Sequence, residues 1–196
     1  YELPRINVGN SLGTKDNAIL RADSTAGSLI QGQTSDLGPE INDDGSVVNA
    51  VQPAFLAYNS ATDADQIGTA GAGFVTVDFD TEVFDQGGDF ATDTFTAPVA
   101  GKYHLSALVA LIGITAANDG CVIQIVTSNR TYAGAALQKN NFVIETSIGL
   151  GISVLVDMDA SDTAVVKVRS LGEATNVVDI YGEAAPTTYF SGHLVC

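Results

Sequence analysis

Basic residues are the scarcest part of this chain. Its 196 residues include only 8 Lys and Arg against 23 Asp and Glu, which gives a net charge of −15. Nucleic-acid binding needs lysines and arginines on the phosphates, so the composition argues against it, and docking to an anionic membrane is disfavoured for the same reason. No run of about 18 uncharged apolar residues is present, so membrane insertion is not predicted. The acidic excess favours a soluble protein whose copies repel each other, with recruitment of divalent cations or of a basic partner as the alternative.

Tryptophan is absent, and cysteine and histidine are rare. The two cysteines, Cys121 and Cys196, are too few for a disulfide framework and fit no zinc motif, although one bond between them stays an open alternative. The two histidines, His104 and His193, fall on predicted strands, where the pattern supplies no nucleophile and acid for a Ser-His-Asp or Cys-His set. The chain is therefore expected not to be an enzyme and to need no cofactor.

Glycine and short apolar runs are what the sequence has in quantity. It holds 20 glycines and is 45% hydrophobic, which is typical of an all-β protein with many turns. In residues 1–50 the apolar side chains come as isolated pairs, such as Leu29-Ile30 and Val47-Val48, which can form short strands but no closed core. We therefore predict an N-terminal arm or anchor segment over residues 1–50 and a folded head over residues 51–196.

The sequence of the head predicts a series of strands separated by turns. Helical spacing of apolar residues is not sustained anywhere, and strands at this density without helices predict a sandwich or jelly roll. Asn118-Asp119-Gly120 predicts a hairpin turn between two long strands. The predicted strands cover residues 54–58, 74–80, 92–97, 102–115, 121–133, 142–148, 151–158, 163–170 and 188–196.

Four segments of the head, in this order along the chain, resemble the C1q/TNF-like globular heads. They are Pro53–Tyr58, Phe84–Phe90 with its Gly87-Gly88-Asp89, the Phe-Thr-Ala-Pro turn and Gly-x-Tyr of Thr94–Tyr103, and Phe190–Leu194. The resemblance implies a ten-stranded jelly roll that forms a homotrimer and carries no catalysis. Its signature residues are expected in the core: Phe55, Phe95, Tyr103, Phe190 and Gly192.

The N-terminal segment has a resemblance of its own. Asn17–Asp23, Gly27, Leu29–Gln31 and Ile41–Val47 are similar to a linker in phage and prophage fibre proteins that joins a shaft or virion anchor to a head facing the receptor. The resemblance implies a location on the virion surface, with residues 1–50 contacting other virion proteins.

Alternation assigns the long strand and the last strand two faces each. One face joins Tyr103 and Phe190 to the core, and the other is still half apolar, which a sheet facing solvent does not need. In the C1q/TNF-like fold these strands are neighbours on the sheet that packs around the threefold axis. The predicted trimer interface is Leu56, Tyr58, His104, Ser106, Leu108, Ala110, Ile112, Tyr189, Ser191, His193 and Val195.

Both histidines fall on this predicted interface, on adjacent strands. Hydrogen-bonded interface histidines are the simpler hypothesis, and a metal site or acid-sensitive switch repeated by threefold symmetry is the sharper one.

Other patterns have plain structural interpretations beside functional ones. Asp157, Asp159 and Asp162 predict a solvated turn, with calcium binding as the alternative. Asp43-Asp44-Gly45 predicts a turn, with carboxylates that bind a cation as the alternative. Gly68–Gly73 predicts a flexible loop rather than a phosphate cradle. Asn129-Arg130-Thr131 matches the N-glycosylation sequon in sequence only.

The favoured function is a non-enzymatic structural protein of a bacteriophage virion. In this hypothesis it is a head or tail fibre or spike whose trimeric head is displayed outward for adhesion, with receptor binding to a host carbohydrate or protein. The alternatives are capsid decoration that stabilises the shell, and a secreted bacterial C1q-like binding module in an extracellular or cell-surface location.

Overall fold

The structure of the protein is a computed structural model. It describes residues 21–22, 30–31, 40–41, 46–67, 73–138, 147–173 and 177–196. The chain divides into two units, Tyr1–Gln52 and Pro53–Cys196. Among the described residues, no helix has the length and apolar character that crossing a membrane requires.

The first unit contains short paired strands. β1 (Arg21–Ala22) pairs antiparallel with β2 (Ile30–Gln31), and β3 (Glu40–Ile41) pairs antiparallel with β4 (Val47–Val48). Both Val47 and Val48 are exposed. Two-residue strands bury too little apolar surface to be stable alone.

The second unit contains a β-sandwich of two antiparallel sheets. Its described strands outnumber the ten predicted, because short strands such as β6, β7 and β16 pair beside the long ones. They are β5 (Ala54–Tyr58), β6 (Asp63–Ile67), β7 (Val75–Thr76), β8 (Thr81–Asp85), β9 (Phe90–Ala91), β10 (Thr94–Thr96), β11 (Gly101–Ile112), β12 (Gly120–Thr127), β13 (Thr131–Gln138), β14 (Ile148–Met158), β15 (Thr163–Leu171), β16 (Val178–Ile180) and β17 (Tyr189–Leu194).

The long strands alternate between the sheets, which makes the sandwich a jelly roll. The seven-stranded sheet has the order β6-β16-β11-β17-β5-β8, with β14 also paired to β11. The six-stranded sheet has the order β13-β12-β15-β10-β9, with β7 also paired to β15. The chain changes sheet from β10 to β11, from β11 to β12, from β13 to β14, from β14 to β15 and from β15 to β16, whereas β12 and β13 lie in one sheet. The predicted all-β jelly-roll class is confirmed.

Aromatic rings fill the space between the sheets. The ring of Phe55 stacks on Phe90 at 5.0 Å and on Phe95 at 4.8 Å, and it meets the edge of Phe190 at 4.9 Å. Tyr103 is fully buried, and its hydroxyl donates to the Val99 carbonyl at 2.8 Å. The signature residues thus lie where the two sheets meet, and Gly192 lies among them because a side chain there would enter the ring of Phe55.

The predicted hairpin at Asn118-Asp119-Gly120 is wrong. β11 and β12 belong to different sheets, so the segment between them is a crossover between layers. Asn118 is buried and its amide donates to Ser170 Oγ, so this residue anchors the connection rather than forming an exposed turn.

The real hairpin lies within the segment predicted as one strand over 121–133. β12 ends at Thr127 and β13 begins at Thr131, and the two strands pair antiparallel. Thr127 closes the turn, since its backbone and side chain both hydrogen-bond Arg130. The pattern hid this turn because alternation continued on both sides of it.

The segment 74–80 alternates as predicted but pairs only over β7. Val77 and Phe79 are buried, whereas Asp78 and Asp80 are exposed. After β7 the Val77 amide still donates to Val166, but the Phe79 amide donates to the Asp93 carboxylate instead of a strand. Alternation therefore reports which side chains are buried without requiring a ladder.

The open alternative of a Cys121–Cys196 bond is wrong, because both cysteines are free. Cys121 is buried on β12, and Cys196 is exposed at the end of the chain. Burial raises the pKa of the Cys121 thiol, which makes it an inert core residue.

Candidate functional site

The outward-pointing residues of β5, β11, β14 and β17 form one continuous surface, named here the outer face. Cross-strand pairing sets them in rows. One row runs Leu56, Ser191, Ser106 and Ser153, the next runs Tyr58, Tyr189, Leu108 and Gly151, and a third runs Ala54, His193, His104 and Leu155.

The structure brings the predicted interface residues together on this outer face. The predicted interface residues on β5 and β11 are half-buried in the single chain, as are Tyr189 and Ser191 on β17. His193 and Val195 are exposed. Large apolar side chains continue the surface, since Leu155 is 56% exposed and Phe84 on the neighbouring strand β8 is 49% exposed. Their role as an interface stays a prediction.

Charge is nearly missing from the outer face. At the outward positions of its four strands, all of which the structure describes, only Lys102 and Asp157 are charged. These two face each other across β11 and β14 with 4.0 Å between Lys102 Nζ and Asp157 Oδ2. A neutral, partly apolar surface on a chain of net charge −15 marks a place where a partner can approach without repulsion.

Two glycines keep part of the outer face shallow. Gly149 and Gly151 flank Leu108 on the neighbouring strand, and a Cβ built on them would lie 3.5 Å and 3.9 Å from Leu108 Cδ1. The Leu108 side chain therefore lies beside bare backbone, and a partner can contact both.

The two histidines are direct cross-strand partners. His104 on β11 is paired in register with His193 on β17, and their ring centroids are 5.3 Å apart with the planes tilted by 52°. His104 Nε2 lies 2.8 Å from Ser153 Oγ on the other side of β11. Alternation could place both histidines on one face, but only the register could show that they touch.

Sequence reasoning missed Ser153, whose strand lies far from His104 along the chain. A serine hydroxyl beside an imidazole supplies two of the three members of a Ser-His-Asp site. Lys102 binds the one carboxylate on these strands, and the described hydrogen bonds of His104 reach no acid. Among the described residues, this pair has no orienting acid of the kind that a Ser-His-Asp site uses.

Four carboxyl groups at another place in the sandwich interact with one another. Partial burial, followed by the charge and hydrogen bond of Asp93, raises the pKa of Asp78 to about 6, and the charges of Asp63 and Asp80 add to this. Partial burial pushes the pKa of Asp80 upward, but the hydrogen bonds that Ser60 donates outweigh it and leave this pKa below its usual value. These bonds tie Asp80 to the connection between β5 and β6, where Ser60 lies.

The aspartates predicted as a turn or calcium site lie beside a cleft. The cleft has a volume of about 290 Å³ and is lined in part by Lys102, Asp157 and Asp159. Asp162 Oδ2 accepts hydrogen bonds from the Asp159 amide at 2.8 Å and from Asn129 Nδ2 at 2.6 Å. Asp162 therefore closes the turn before β15, and the described residues contain no group of three or more metal-ligating side chains. Calcium binding here stays untested.

Some predicted features lie outside the described residues. They are Asp43-Asp44-Gly45, all of Gly68–Gly73 except Gly73, residues 142–146 of the predicted strand 142–148, and most of the linker-like segment before Ser46. Asn129 of the sequon is exposed, and its amide is bound to Asp162.

No protein-family model matches the chain, and no curated protein sequence matches it. Solved structures do resemble it. The globular domain of zebrafish complement 1qA protein is 16% identical with a TM-score of 0.49, over 74% of this chain and 98% of that one. Murine APRIL at pH 8.0 is 12% identical with a TM-score of 0.48, over 74% and 99%. At these values the likeness is one of shape, and the strand order of the chain itself defines its jelly roll.

Proposed function

We propose that this chain is a non-enzymatic binding protein whose head self-associates through the outer face and presents its loops to a target. The observation that carries the proposal is the charge pattern. A chain of net charge −15 leaves a half-apolar face on its central strands almost uncharged, and burial of that face would remove Leu56, Tyr58 and Leu108 from water.

A second copy of the same chain is the occupant that fits this face. Two strongly acidic chains repel each other wherever their carboxylates meet, so association is favoured only where carboxylates are scarce. The outward-pointing surface of the six-stranded sheet is charged by comparison, because Lys167 and Arg169 point outward from β15 beside Gln124 and Val122. The number three follows from the C1q/TNF-like sequence resemblance, which implies a homotrimer.

A charge placed in the outer face tests the self-association. Leu108→Asp should lower the mass of the full chain, measured by light scattering, from three chains to one, because each copy would then bury a carboxylate against apolar partners. Val165→Asp is the matched control, since Val165 is also a half-buried outward residue in mid-strand but lies on the other sheet opposite Val126. A trimer that survives Leu108→Asp, or a wild-type monomer, would refute the proposal.

The location we propose is the virion surface, where the head of a phage fibre or spike would adhere to host carbohydrate or protein. Residues 1–50 would anchor it to other virion proteins. The support is the fibre-like linker sequence, together with short paired strands in this unit that cannot form a core of their own. Capsid decoration fits the same short arm and single head, and a secreted module fits the head alone.

Antibody labelling separates these locations. An antibody against the full chain would be applied to phage particles and to particle-free medium, both from a culture of the bacterium whose genome or prophage encodes the chain. Labelling at the tail or at fibre tips supports the fibre, even labelling of the shell supports decoration, and signal confined to the medium supports the secreted module and refutes the virion location.

A further inference from the structure

We propose that His104 and His193 form a two-histidine site for a borderline divalent metal ion of the zinc class, which the equivalent histidines of the other copies complete in the assembled protein. The proposal rests on the self-association proposed above. Imidazole nitrogen is the preferred neutral ligand of Zn²⁺, Ni²⁺ and Cu²⁺, and this chain places its only two imidazoles side by side.

The spacing of the rings fits a shared ion. Two imidazoles bound to one tetrahedral zinc at about 2.1 Å place their ring centres about 5 Å apart. The centroids of His104 and His193 are 5.3 Å apart, and the tilt of 52° keeps the rings from stacking face to face. Both rings project from adjacent strands that the β11–β17 ladder holds in register, so the pair needs little ordering to bind a metal.

Ser153 supplies the outer partner that metal-bound histidines use. Ligating imidazoles commonly donate their second ring nitrogen to an oxygen, which fixes the ring and raises its basicity. Ser153 Oγ lies 2.8 Å from His104 Nε2, so donation from Nε2 to this hydroxyl leaves the lone pair of His104 on Nδ1.

The electrostatic surroundings favour a cation over an anion. The ion pair of Lys102 with Asp157 lies one row away and nearly cancels itself, while the chain as a whole carries −15. Ala54 and Leu155, in the row of the histidines, are neutral, and so are Ser106 and Ser191 in the next row. Long-range attraction therefore concentrates cations at this surface, and imidazole selects those that bind nitrogen.

One chain offers only part of a coordination sphere. Two histidines leave two positions of a tetrahedral ion open, and the described residues of a single chain provide no third strong ligand beside them. When three outer faces meet around a threefold axis, the histidine pairs of both other copies are the ligands that symmetry brings to an ion on that axis. The expected stoichiometry is one ion per three chains, which is fewer than one ion per chain.

Titration of the full-length wild-type chain with Zn²⁺ tests the site, by calorimetry at about pH 7.5 because ligating imidazole must be unprotonated. His104→Gln and His193→Gln should each weaken binding at least about tenfold, since even loss of an outer-shell partner has that effect, and Ser153→Ala should weaken it about tenfold. Asp159→Asn is the control and should bind as wild type does. Equal binding by the wild type and both histidine variants would overturn the site.

Light scattering of the same samples in EDTA and in Zn²⁺ keeps the two proposals distinguishable. A trimer that binds no zinc through the histidines refutes the metal site and leaves the self-association standing. A monomer that binds one zinc through the histidines refutes the shared site and the self-association together. Fewer than one ion per chain, lost in both variants, supports the shared site.

Discussion

At the residue scale, Gly192 shows how a single missing side chain shapes the core. A Cβ at this position would lie 2.6 Å from Leu105 Cδ2 and 2.7 Å from Phe55 Cε1. The Phe55 ring is held by stacking on two neighbours and cannot move aside freely. The sequence resemblance selected Gly192, but only the packing supplies the reason.

Gly192→Ala should therefore lower the free energy of unfolding by about 1–3 kcal/mol, because an extra methyl overpacks a filled core. Urea unfolding followed by tyrosine fluorescence would measure the loss. Gly73→Ala is the matched control, since a Cβ there meets nothing within 4 Å, and its effect should stay within about 0.5 kcal/mol. Equal stability of the two variants would contradict the packing argument.

Asp78 is the residue where pH acts on stability. Its pKa of about 6 in the folded protein exceeds the ordinary 3.8, so the folded state binds the proton more tightly than the unfolded state. Stability from this group must then fall as pH rises from about 4 to 6, and the full penalty is present above that range.

Asp78→Asn should raise stability at pH 7 by about 1 kcal/mol or less, because much of the residue is exposed and water screens the repulsion. It should also flatten the fall between pH 4 and 6 in urea midpoints. Asp80→Asn should lower stability at pH 7, since it removes one acceptor of the hydrogen bonds that Ser60 donates. If both variants were destabilised alike, repulsion at Asp78 would be refuted.

At the scale of the element, Glu173 ties two connections together. It follows β15, is 2% exposed, and accepts hydrogen bonds from the Thr115 amide at 3.0 Å and the Thr115 hydroxyl at 2.7 Å. Thr115 lies in the crossover from β11 to β12, just after Gly113, whose φ of +76° suits glycine. The crossover is thus anchored to the segment that follows β15 of the six-stranded sheet.

Glu173→Ala should cost about 1–3 kcal/mol of stability, because the Thr115 amide loses its acceptor. Thermal unfolding would measure the change, with Glu82→Ala on the exposed strand β8 as control. Faster amide hydrogen exchange confined to residues near 113–119 would locate the effect. Unchanged exchange there would show that the crossover is held by other contacts.

Elements were predicted with uneven success, for a physical reason. Alternation located β5, β11 and β15 and their buried faces, since side chains in a strand point to opposite sides. Alternation also joined β12 and β13 into one predicted strand. The Asn118-Asp119-Gly120 signal predicted a hairpin where the chain crosses between sheets, because a turn signal does not show which sheet the next strand joins. Such pairing depends on contacts between residues far apart in sequence.

At the scale of the whole molecule, net charge should govern assembly. If copies join through the neutral outer face, the −15 on each chain opposes them from outside that face. Raising NaCl from about 0.01 M to about 1 M shortens the Debye length from about 30 Å to about 3 Å and removes most of this repulsion.

Sedimentation equilibrium of the full chain should therefore show tighter association at high salt. Leu108→Asp should stay dissociated across the same range, because its buried carboxylate is screened far less. Association that weakens with salt would mean that ion pairs hold the copies together, which would contradict an uncharged interface.

The sequence by itself determined the class of this protein: all-β, acidic, and built with one face of its central strands left half apolar. Composition and period-two alternation are local properties, so they survive without a structure. Tertiary structure alone decided that His104 meets His193 and Ser153, that Gly192 lies under Phe55, and that Thr115 binds Glu173. Those contacts join residues between 49 and 137 positions apart. They depend on which strands are neighbours and in which register they pair, and no local sequence pattern encodes this.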